Sequence, residues 1–390
     1  MNLLIEKKAN TESKDNEHNQ TSLIWAVKGN HATVTKLLLE NGADLETDDK
    51  YGQTPFLLAA AHGYETIVNL LIKKKANIKS EDHEHNRTSF LWAVKGNHLV
   101  ITKLLLENGA NLETQDKYGY TALILAAAHG HEMIVNMLIK RGANMHSKDI
   151  FYKRTPLLWA IIGNYTIAVK LLLGNGANIE AEDKYGNTPL LLAASLGHEM
   201  IVNLLIERGA NIEPKDKRNE TPLLWAARGS HEMTTKLLLE SGANFEAEDR
   251  IGMKPLLLAV LYGNEMIVNL LLEKGADIES KDPGSQYTPL LLTTEMNETI
   301  TTTKLLLDKG ANLEARSSDG TTSLSMAAAK GHEKMVKLLL DAGANPHSSN
   351  DFGRTPLSRA LGNCHYIVAN YLRERIALLP TFPEVPLAIY

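Results

Sequence analysis

The stretch Thr54-Pro55-Phe56-Leu57-Leu58-Ala59-Ala60-Ala61-His62-Gly63-Tyr64-Glu65-Thr66-Ile67-Val68-Asn69-Leu70-Leu71-Ile72 decides how this chain folds. Thr54 suits a helix N-cap, where its hydroxyl accepts a bond from a free backbone N–H. Pro55 suits the first helical position, where no N–H is needed. Leu57, Leu58, Ala59 and Ala60 predict a short apolar helix whose small residues let a neighbouring helix approach closely. Gly63 predicts a stop through the left-handed conformation. A second helix is expected beyond it, with Ile67, Val68, Leu70, Leu71 and Ile72 at helical spacing. A glycine normally ends this second helix; here Lys75 stands in, as Lys8 does earlier, at a cost on the order of 1 kcal/mol. The polar turn Glu81-Asp82-His83-Glu84-His85-Asn86-Arg87 then leads into another copy of the same phrase.

The copies run through the whole chain. Thr-Pro phrases begin at Thr54, Thr155, Thr188, Thr221, Thr288 and Thr355, with variants at Thr21, Thr88, Thr121, Lys254 and Thr322, so successive starts lie 33 or 34 residues apart. A Gly-Ala-Asn or Gly-Ala-Asp phrase follows each, from Gly42-Ala43-Asp44 to Gly343-Ala344-Asn345. The four tryptophans Trp25, Trp92, Trp159 and Trp225 fall at intervals of 67, 67 and 66 residues, about twice that period. A fixed period of this length means stacked supersecondary units that bury a continuous core between neighbours. At 390 residues the chain would otherwise suggest two or three globular domains, but a stack grows without one large core.

Helix, tight turn, helix and a projecting polar loop at this period resemble the ankyrin repeat. The resemblance rests on Asp49, Gly52, Thr54-Pro55, Ala59-Ala60, Gly63, Ile67-Val68 and Leu70-Leu71. It implies an all-α solenoid of helix-turn-helix units with β-hairpin-like loops, covering about eleven units over residues 15–375. A partial unit would precede them over 1–14 and a Pro-containing apolar tail would follow over 376–390. One departure is consistent: the family's histidine after Thr-Pro-Leu is replaced by Ile24, Leu57, Leu91, Ile124, Leu158, Leu191, Leu224, Leu257 and Leu291. This trades a side-chain bond to the loop for apolar packing and puts the fine loop geometry in question.

The units alternate. The first, third, fifth and seventh carry the tryptophan, followed by Gly29-Asn30, Gly96-Asn97, Gly163-Asn164 or Gly229-Ser230. The even units have Leu58, Leu125, Leu192 and Leu258 in its place, and their glycine falls one residue later, at Gly63, Gly130, Gly197 and Gly263. The array reads as copied pairs of units, with the tryptophans expected in the packing seam. In the ninth unit Thr293-Thr294-Glu295-Met296-Asn297 gains a residue and loses the alanines, which predicts a weak joint.

Little else carries chemistry. The net charge of −5 is spread along the chain and argues against nucleic acid as a partner. The single Cys364 excludes an internal disulfide framework, fits a reducing compartment and is expected as a free, partly buried thiol. No apolar run approaches the roughly 18 residues of a membrane span, and the first residues are too short and too early charged for a signal peptide. A cytoplasmic or nuclear location follows, without direct membrane insertion. His31, His98, His131, His198, His231 and His332 all begin the second helix, where the family also has histidine and where a structural role is expected. The four His-Glu pairs among them lack the second histidine one turn on that a zinc-protease motif requires. No Gly-rich phosphate loop and no nucleophile constellation appear, so no catalytic residue, metal or cofactor is expected. Glu46, Glu113, Glu180, Glu213, Glu246, Glu279 and Glu314 recur just after the second helix and read as a solvated acidic edge, with a docking strip for a basic partner as the alternative.

The loop tips are the better candidates for binding. They keep an aromatic or apolar residue beside a base, in Lys50-Tyr51, Lys117-Tyr118 with Tyr120, Phe151-Tyr152-Lys153, Lys184-Tyr185, Arg250-Ile251 with Met253, and Tyr287. Tyrosine and arginine dominate binding hot spots. The end of the first helix adds His62, His129, Leu196, Leu261 and Tyr262 to the same side. The expected function is a non-catalytic scaffold that binds one or more proteins on the concave, loop-tip side of a stack. As an alternative it is the recognition arm of a larger assembly, such as a ubiquitin-ligase adaptor, a channel-associated domain or a host-directed effector. A monomer is expected unless the N-terminal half unit, Met1 to Ile5 onward, pairs with another copy.

Overall fold

The computed structural model of the chain describes residues 10–295 and 299–378. Lys8, the half unit at Met1 to Ile5, Met296-Asn297 of the ninth unit and the tail beyond 378 lie outside the described residues. Those described contain twenty-two helices and no strands. They alternate between a short first helix, such as Pro55–His62, and a second helix, such as Glu65–Lys73. The chain divides into two compact parts, Met1–Ala193 with Asn203–Ala210, and Ala194–Val202 with Asn211–Tyr390. Each part is an all-α solenoid of stacked helix-turn-helix repeats.

Helices of two turns are marginal alone in water, so burial between neighbours must stabilise them. Leu57, Leu58, Ala59, Ala60, Ile67, Val68 and Leu71 are all at most 2% exposed. The aliphatic residues that replace the expected histidine join this core, from Ile24 and Leu57 to Leu257 and Leu291. The caps form as the sequence predicts. The Thr54 hydroxyl accepts from the Leu57 N–H at 3.3 Å, Pro55 takes the first helical position, and Gly63 is left-handed at φ 80°. Lys75 holds the left-handed position at φ 63° where its counterparts are glycine, such as Gly42 at φ 86°.

Loop geometry survives the missing histidine because an aspartate organises the turn, with Ser317 and Asn350 in its place in the last two units. Asp49 Oδ1 accepts from the N–H of Tyr51 and of Gln53 at 2.9 and 3.0 Å. Many successive tips are joined by one backbone bond, as when the N–H of His83 donates to the Tyr51 carbonyl and that of Lys117 to the His85 carbonyl; Pro283 has no N–H to give at this place. Isolated antiparallel bridges at Glu81–Thr88 and Gln115–Thr121 give two of these loops hairpin character. Between Asp49 and Thr54 the turn closes through left-handed Gly52, whereas between Asp82 and Thr88 it is one residue longer and closes through left-handed Asn86. That extra residue makes three of the four 34-residue steps in the period; the fourth, Thr288 to Thr322, comes from the residue gained in the ninth unit.

Three sequence features take on different roles. The glutamates stay at a solvated edge, with Glu46, Glu113 and Glu314 exposed, but at least six of the seven also brace the next unit. Oε1 of Glu46, Glu113, Glu213, Glu246, Glu279 and Glu314 accepts a backbone N–H from the next unit, at 2.7–2.9 Å. The second-helix histidines also tie units together. Nε2 of His98, His131 and His231 lies 3.0–3.1 Å from the carbonyls of Ala61, Lys95 and Ser195 in the preceding unit. The odd-unit glycine makes room for that ring: a Cβ on Gly96 would lie 2.5 Å from His98 Nε2, and one on Gly163 only 2.1 Å from the Tyr165 ring. The left-handed residue in these units is the following Asn30, Asn97, Asn164 or Ser230, so the turn stays in register with the even units. Cys364 takes this same left-handed place at φ 63° and is therefore exposed, contrary to the partly buried thiol expected.

Candidate protein-interaction surface

The tryptophans do not lie in the packing seam. In the first helix Ser22–Lys28, Leu23, Ile24, Ala26 and Val27 are buried, which leaves Trp25 and Lys28 on the open face. Trp25 is 54% exposed, and Trp92, Trp159 and Trp225 are half-buried. Each indole N–H donates to the aspartate of its own loop: Trp25 to Asp15, Trp92 to Asp82, Trp159 to Asp149 and Trp225 to Asp216, at 2.8–3.4 Å. The odd-unit tryptophan thus clips its loop down onto the first helix and presents an indole face beside it.

The aspartates of the even units are held from the unit before. Arg87 is 5% exposed and donates through Nε to Asp116 Oδ2 at 2.9 Å, with a terminal nitrogen in ion-pair contact with the same oxygen at 2.9 Å. Arg154 donates to Asp183 at 3.4 Å, and the shorter Gln20 donates to Asp49 at 3.2 Å. In the seventh unit the place of these residues is taken by Glu220, and Arg228 on the first helix bridges Glu220 and Asp249 at 3.0 and 3.1 Å. Burial pushes the Glu220 carboxyl up, against the pull of the Arg228 charge.

Four of the predicted tip residues come together in the N-terminal part. The Tyr118 ring lies 6.0 Å from Tyr120 and 5.9 Å from Phe151, and Tyr120 lies 5.6 Å edge-on to Trp159. Tyr152 meets Trp159 at 6.1 Å, and His85 links Tyr118 to Trp92 at 6.0 Å on each side. Cations stack on the same rings: Lys117 over Tyr118, Arg154 over Tyr152 and Trp159, and Lys184 over Tyr152 and Tyr185. Burial, then the nearby Asp149 carboxylate, raises the Tyr120 hydroxyl above its ordinary range.

The other predicted residues are dispersed. Tyr51 is exposed at its own tip with Lys50 over its ring. His62 stacks on Tyr64 at 5.5 Å, and His129 stacks on His131 at 5.6 Å, close to the Leu125 carbonyl. In the C-terminal part Ile251 and Tyr262 are exposed, while Met253 and Tyr287 are half-buried with their N–H groups donating to Asp249 and Asp282.

A cavity of about 350 Å³ opens beside the cluster, between the first helices of the third, fourth and fifth units. Ile124, Leu125, Ala128, Trp159 and Ile162 give it apolar walls, with Arg87, Lys95 and Tyr120 along one side. Burial, then the Arg87 charge, pulls the Lys95 ammonium below the usual lysine range, against Asp116 and Asp82. Reasoning from the sequence missed Arg87, Lys95, Trp92, Trp159 and Ile162. Their signal was present: Trp25/Lys28, Trp92/Lys95 and Trp225/Arg228 are each three apart, hence on one helix face, and a base there argues against burial.

The model of the ankyrin repeat family, in three copies, matches residues 1–82, 81–149, 146–216, 212–282 and 290–378. The chain belongs to the ankyrin repeat family. Among solved structures it is similar to the ankyrin repeat domain of Bcl-3, a member of the IkappaB protein family. They are 30% identical, with a TM-score of 0.51 over 56% of this chain and 98% of that one. It is also similar to the human ASB11 ankyrin repeat domain, at 28% identity and a TM-score of 0.53 over 58% of this chain and 99% of that one. No curated protein matches it. Ankyrin repeats are generally protein–protein interaction modules and typically non-catalytic. No helix among the described residues is long and apolar enough to cross a membrane.

Proposed function

We propose that this protein is a non-catalytic scaffold that binds a partner protein on the face made by the loop tips and first helices, centred on Tyr118, Tyr120, Phe151 and Tyr152. The observation that carries this reading is the run of ring contacts through Trp92, His85, Tyr118, Tyr120, Trp159 and Tyr152. Phe151 and Tyr152, at 55% and 37% exposed, present large apolar area there that no neighbouring unit covers. Rigid aromatics flanked by cations lose little entropy on binding and supply the residue types of hot spots. The remaining loop-tip residues, Tyr51, Tyr185, Ile251, Met253 and Tyr287, with His62, His129 and Tyr262, would extend the contact or serve other partners. The same face would serve equally as the recognition arm of a larger assembly.

The test replaces Tyr118, Tyr120 and Tyr152 together by alanine and measures binding of a partner captured by the full chain. Affinity should fall at least tenfold with the helical circular dichroism intact. Unchanged binding by the folded triple variant removes this site.

A further inference from the structure

The four tryptophan-bearing units are near-copies, so each serves as a control for the others at one inner-face position. In the first unit Gln20 is neutral, and Lys28 reaches Asp49 at 3.6 Å. In the seventh, Arg228 is paired to two carboxylates. In the fifth, Arg154 takes Asp183 and the first-helix base is absent, replaced by Ile162. Only the third combines two bases, Arg87 and Lys95, with a single even-unit carboxylate. Arg87 occupies Asp116, and the Lys95 ammonium is left over the Trp92 ring at 4.9 Å; among the described residues it has no carboxylate within ion-pair distance and no hydrogen bond, with Asp116, Asp82 and Glu84 acting on it only from farther off. Asp82 does not balance it, because its counterparts Asp15, Asp149 and Asp216 stand in the other three units. The third unit therefore carries one surplus cation, half-buried, at the wall of the apolar cavity whose far side is Ile162.

We infer that this cavity is an anchor pocket for an acidic segment of a partner protein, with a large apolar side chain inserted between Trp159 and Leu125 and a neighbouring carboxylate received by the Lys95 ammonium. The inference rests on the interaction reading above and adds the chemistry of the partner. A volume of about 350 Å³ lies within the range of pockets that enclose a ligand group, and its apolar walls suit the inserted side chain. The carboxylate completes the donors of an ammonium that its own chain leaves unpaired, whereas a basic segment would add a third cation beside Arg87 and Lys95. Salt weakens the complex, because the pair sits at a surface opening.

The experiment selects a phage-displayed library of random 12-residue peptides on the full chain and measures the recovered peptides by fluorescence anisotropy. Recovered sequences should carry Leu, Phe or Trp within two positions of Asp or Glu. Lys95→Gln should weaken them about tenfold and Ala128→Phe, which fills the cavity, should abolish binding. Lys28→Gln, which removes a base already paired, should leave them unchanged. Helical circular dichroism and melting of each variant confirm that it is folded. Failure to recover peptides, recovery without an acidic preference, or equal binding by folded Lys95→Gln overturns the inference. The tip-tyrosine variant is read separately on the captured partner: loss there beside unchanged binding by Lys95→Gln removes the anchor pocket and leaves the interaction face standing.

Discussion

Replacing Asp116 by asparagine should be among the most disruptive single changes in the N-terminal part. Asp116 accepts three N–H groups, from Tyr118 and Tyr120 through Oδ1 and from Arg87 Nε through Oδ2, and a second Arg87 nitrogen lies against Oδ2, all at 2.9 Å. Asparagine keeps the Oδ1 bonds but turns an N–H₂ toward two arginine donors. Arg87 is 5% exposed, so its charge has nowhere to go. Removing one partner of a buried pair costs about 3–5 kcal/mol, and the stacking of Arg87 on Trp92 that remains places the expected cost near about 3 kcal/mol. Arg87→Gln is the internal control. Gln20 already makes the equivalent bond to Asp49, and Lys95 would be free to approach Asp116 as Lys28 approaches Asp49. Its cost should stay near about 1 kcal/mol, one charge-assisted bond. Repeat stacks need not unfold in one step, so the assay is amide hydrogen exchange resolved along the chain. Protection over residues 82–128 should fall about 150-fold for Asp116→Asn and about fivefold for Arg87→Gln, at about 1.4 kcal/mol per decade. Residues 323–341 should be unaffected. Equal effects of the two substitutions, or a loss below threefold for Asp116→Asn, would refute the account of a buried charge pair.

Three further outcomes follow from the same accounting. Burial raises the Asp82 carboxyl, but bonds from the His85 N–H, the Trp92 indole and the Arg87 N–H outweigh it and hold it below its ordinary range. Its contribution is therefore complete above the unfolded-state pKa of about 3.9 and is lost as pH falls through the lower folded value. Trp92→Phe removes a 2.8 Å donor, so the folded pKa should rise and acid unfolding followed by circular dichroism should begin at higher pH; no change would show the indole bond to be idle. Lys75→Gly should stabilise by about 1 kcal/mol, since only Lys75 breaks the run of glycines at its left-handed position, and a lower melting temperature would contradict this. Glu113→Ala strips the bond to the Asn144 N–H at 2.9 Å and should raise hydrogen exchange at Asn144 severalfold, with Glu113→Gln retaining most of the protection.

The fold was legible because its signals are local and repeated. A threonine cap, a proline at the first helical position and a left-handed glycine each constrain a single turn, and the structure places them where the sequence does at Thr54, Pro55 and Gly63. The bracing role of the glutamate row was not legible because the partner of Glu113 is a backbone N–H 31 residues further on, a pairing that only the stacking of units creates. The tryptophans were misread through their size. A large aromatic suggests burial, but Trp92 lies on the open face of its helix, three residues before Lys95, and spends its N–H on Asp82. Of the tip residues, Tyr118, Tyr120, Phe151 and Tyr152 converge because consecutive loops are tied tip to tip, as by the Ile150 N–H on the Tyr118 carbonyl. Nothing in the spacing of Tyr51 or Tyr185 distinguishes them from those four.

Where the copies agree and where they differ then separates scaffold from specificity. The Thr cap, the glutamate brace and the loop carboxylate recur in most units with the same hydrogen bonds, Lys254 replacing the cap once and Ser317 and Asn350 the carboxylate, so they serve the stacking that the units share. The positions before the capping threonine and at the last turn of the first helix do not recur: Gln20/Lys28, Arg87/Lys95, Arg154/Ile162 and Glu220/Arg228. With the even-unit aspartate included, these pairs sum to charges of 0, +1, 0 and −1. All four solutions keep that aspartate partnered, so folding leaves the choice among them open. The freedom is confined to a mostly buried position before the capping threonine and a half-buried one at the end of the first helix, both beside the aromatic tips. A stack that tolerates three charge states at one repeated position has a scaffold indifferent to that charge, and the surplus at Lys95 is therefore available to a partner without cost to the fold.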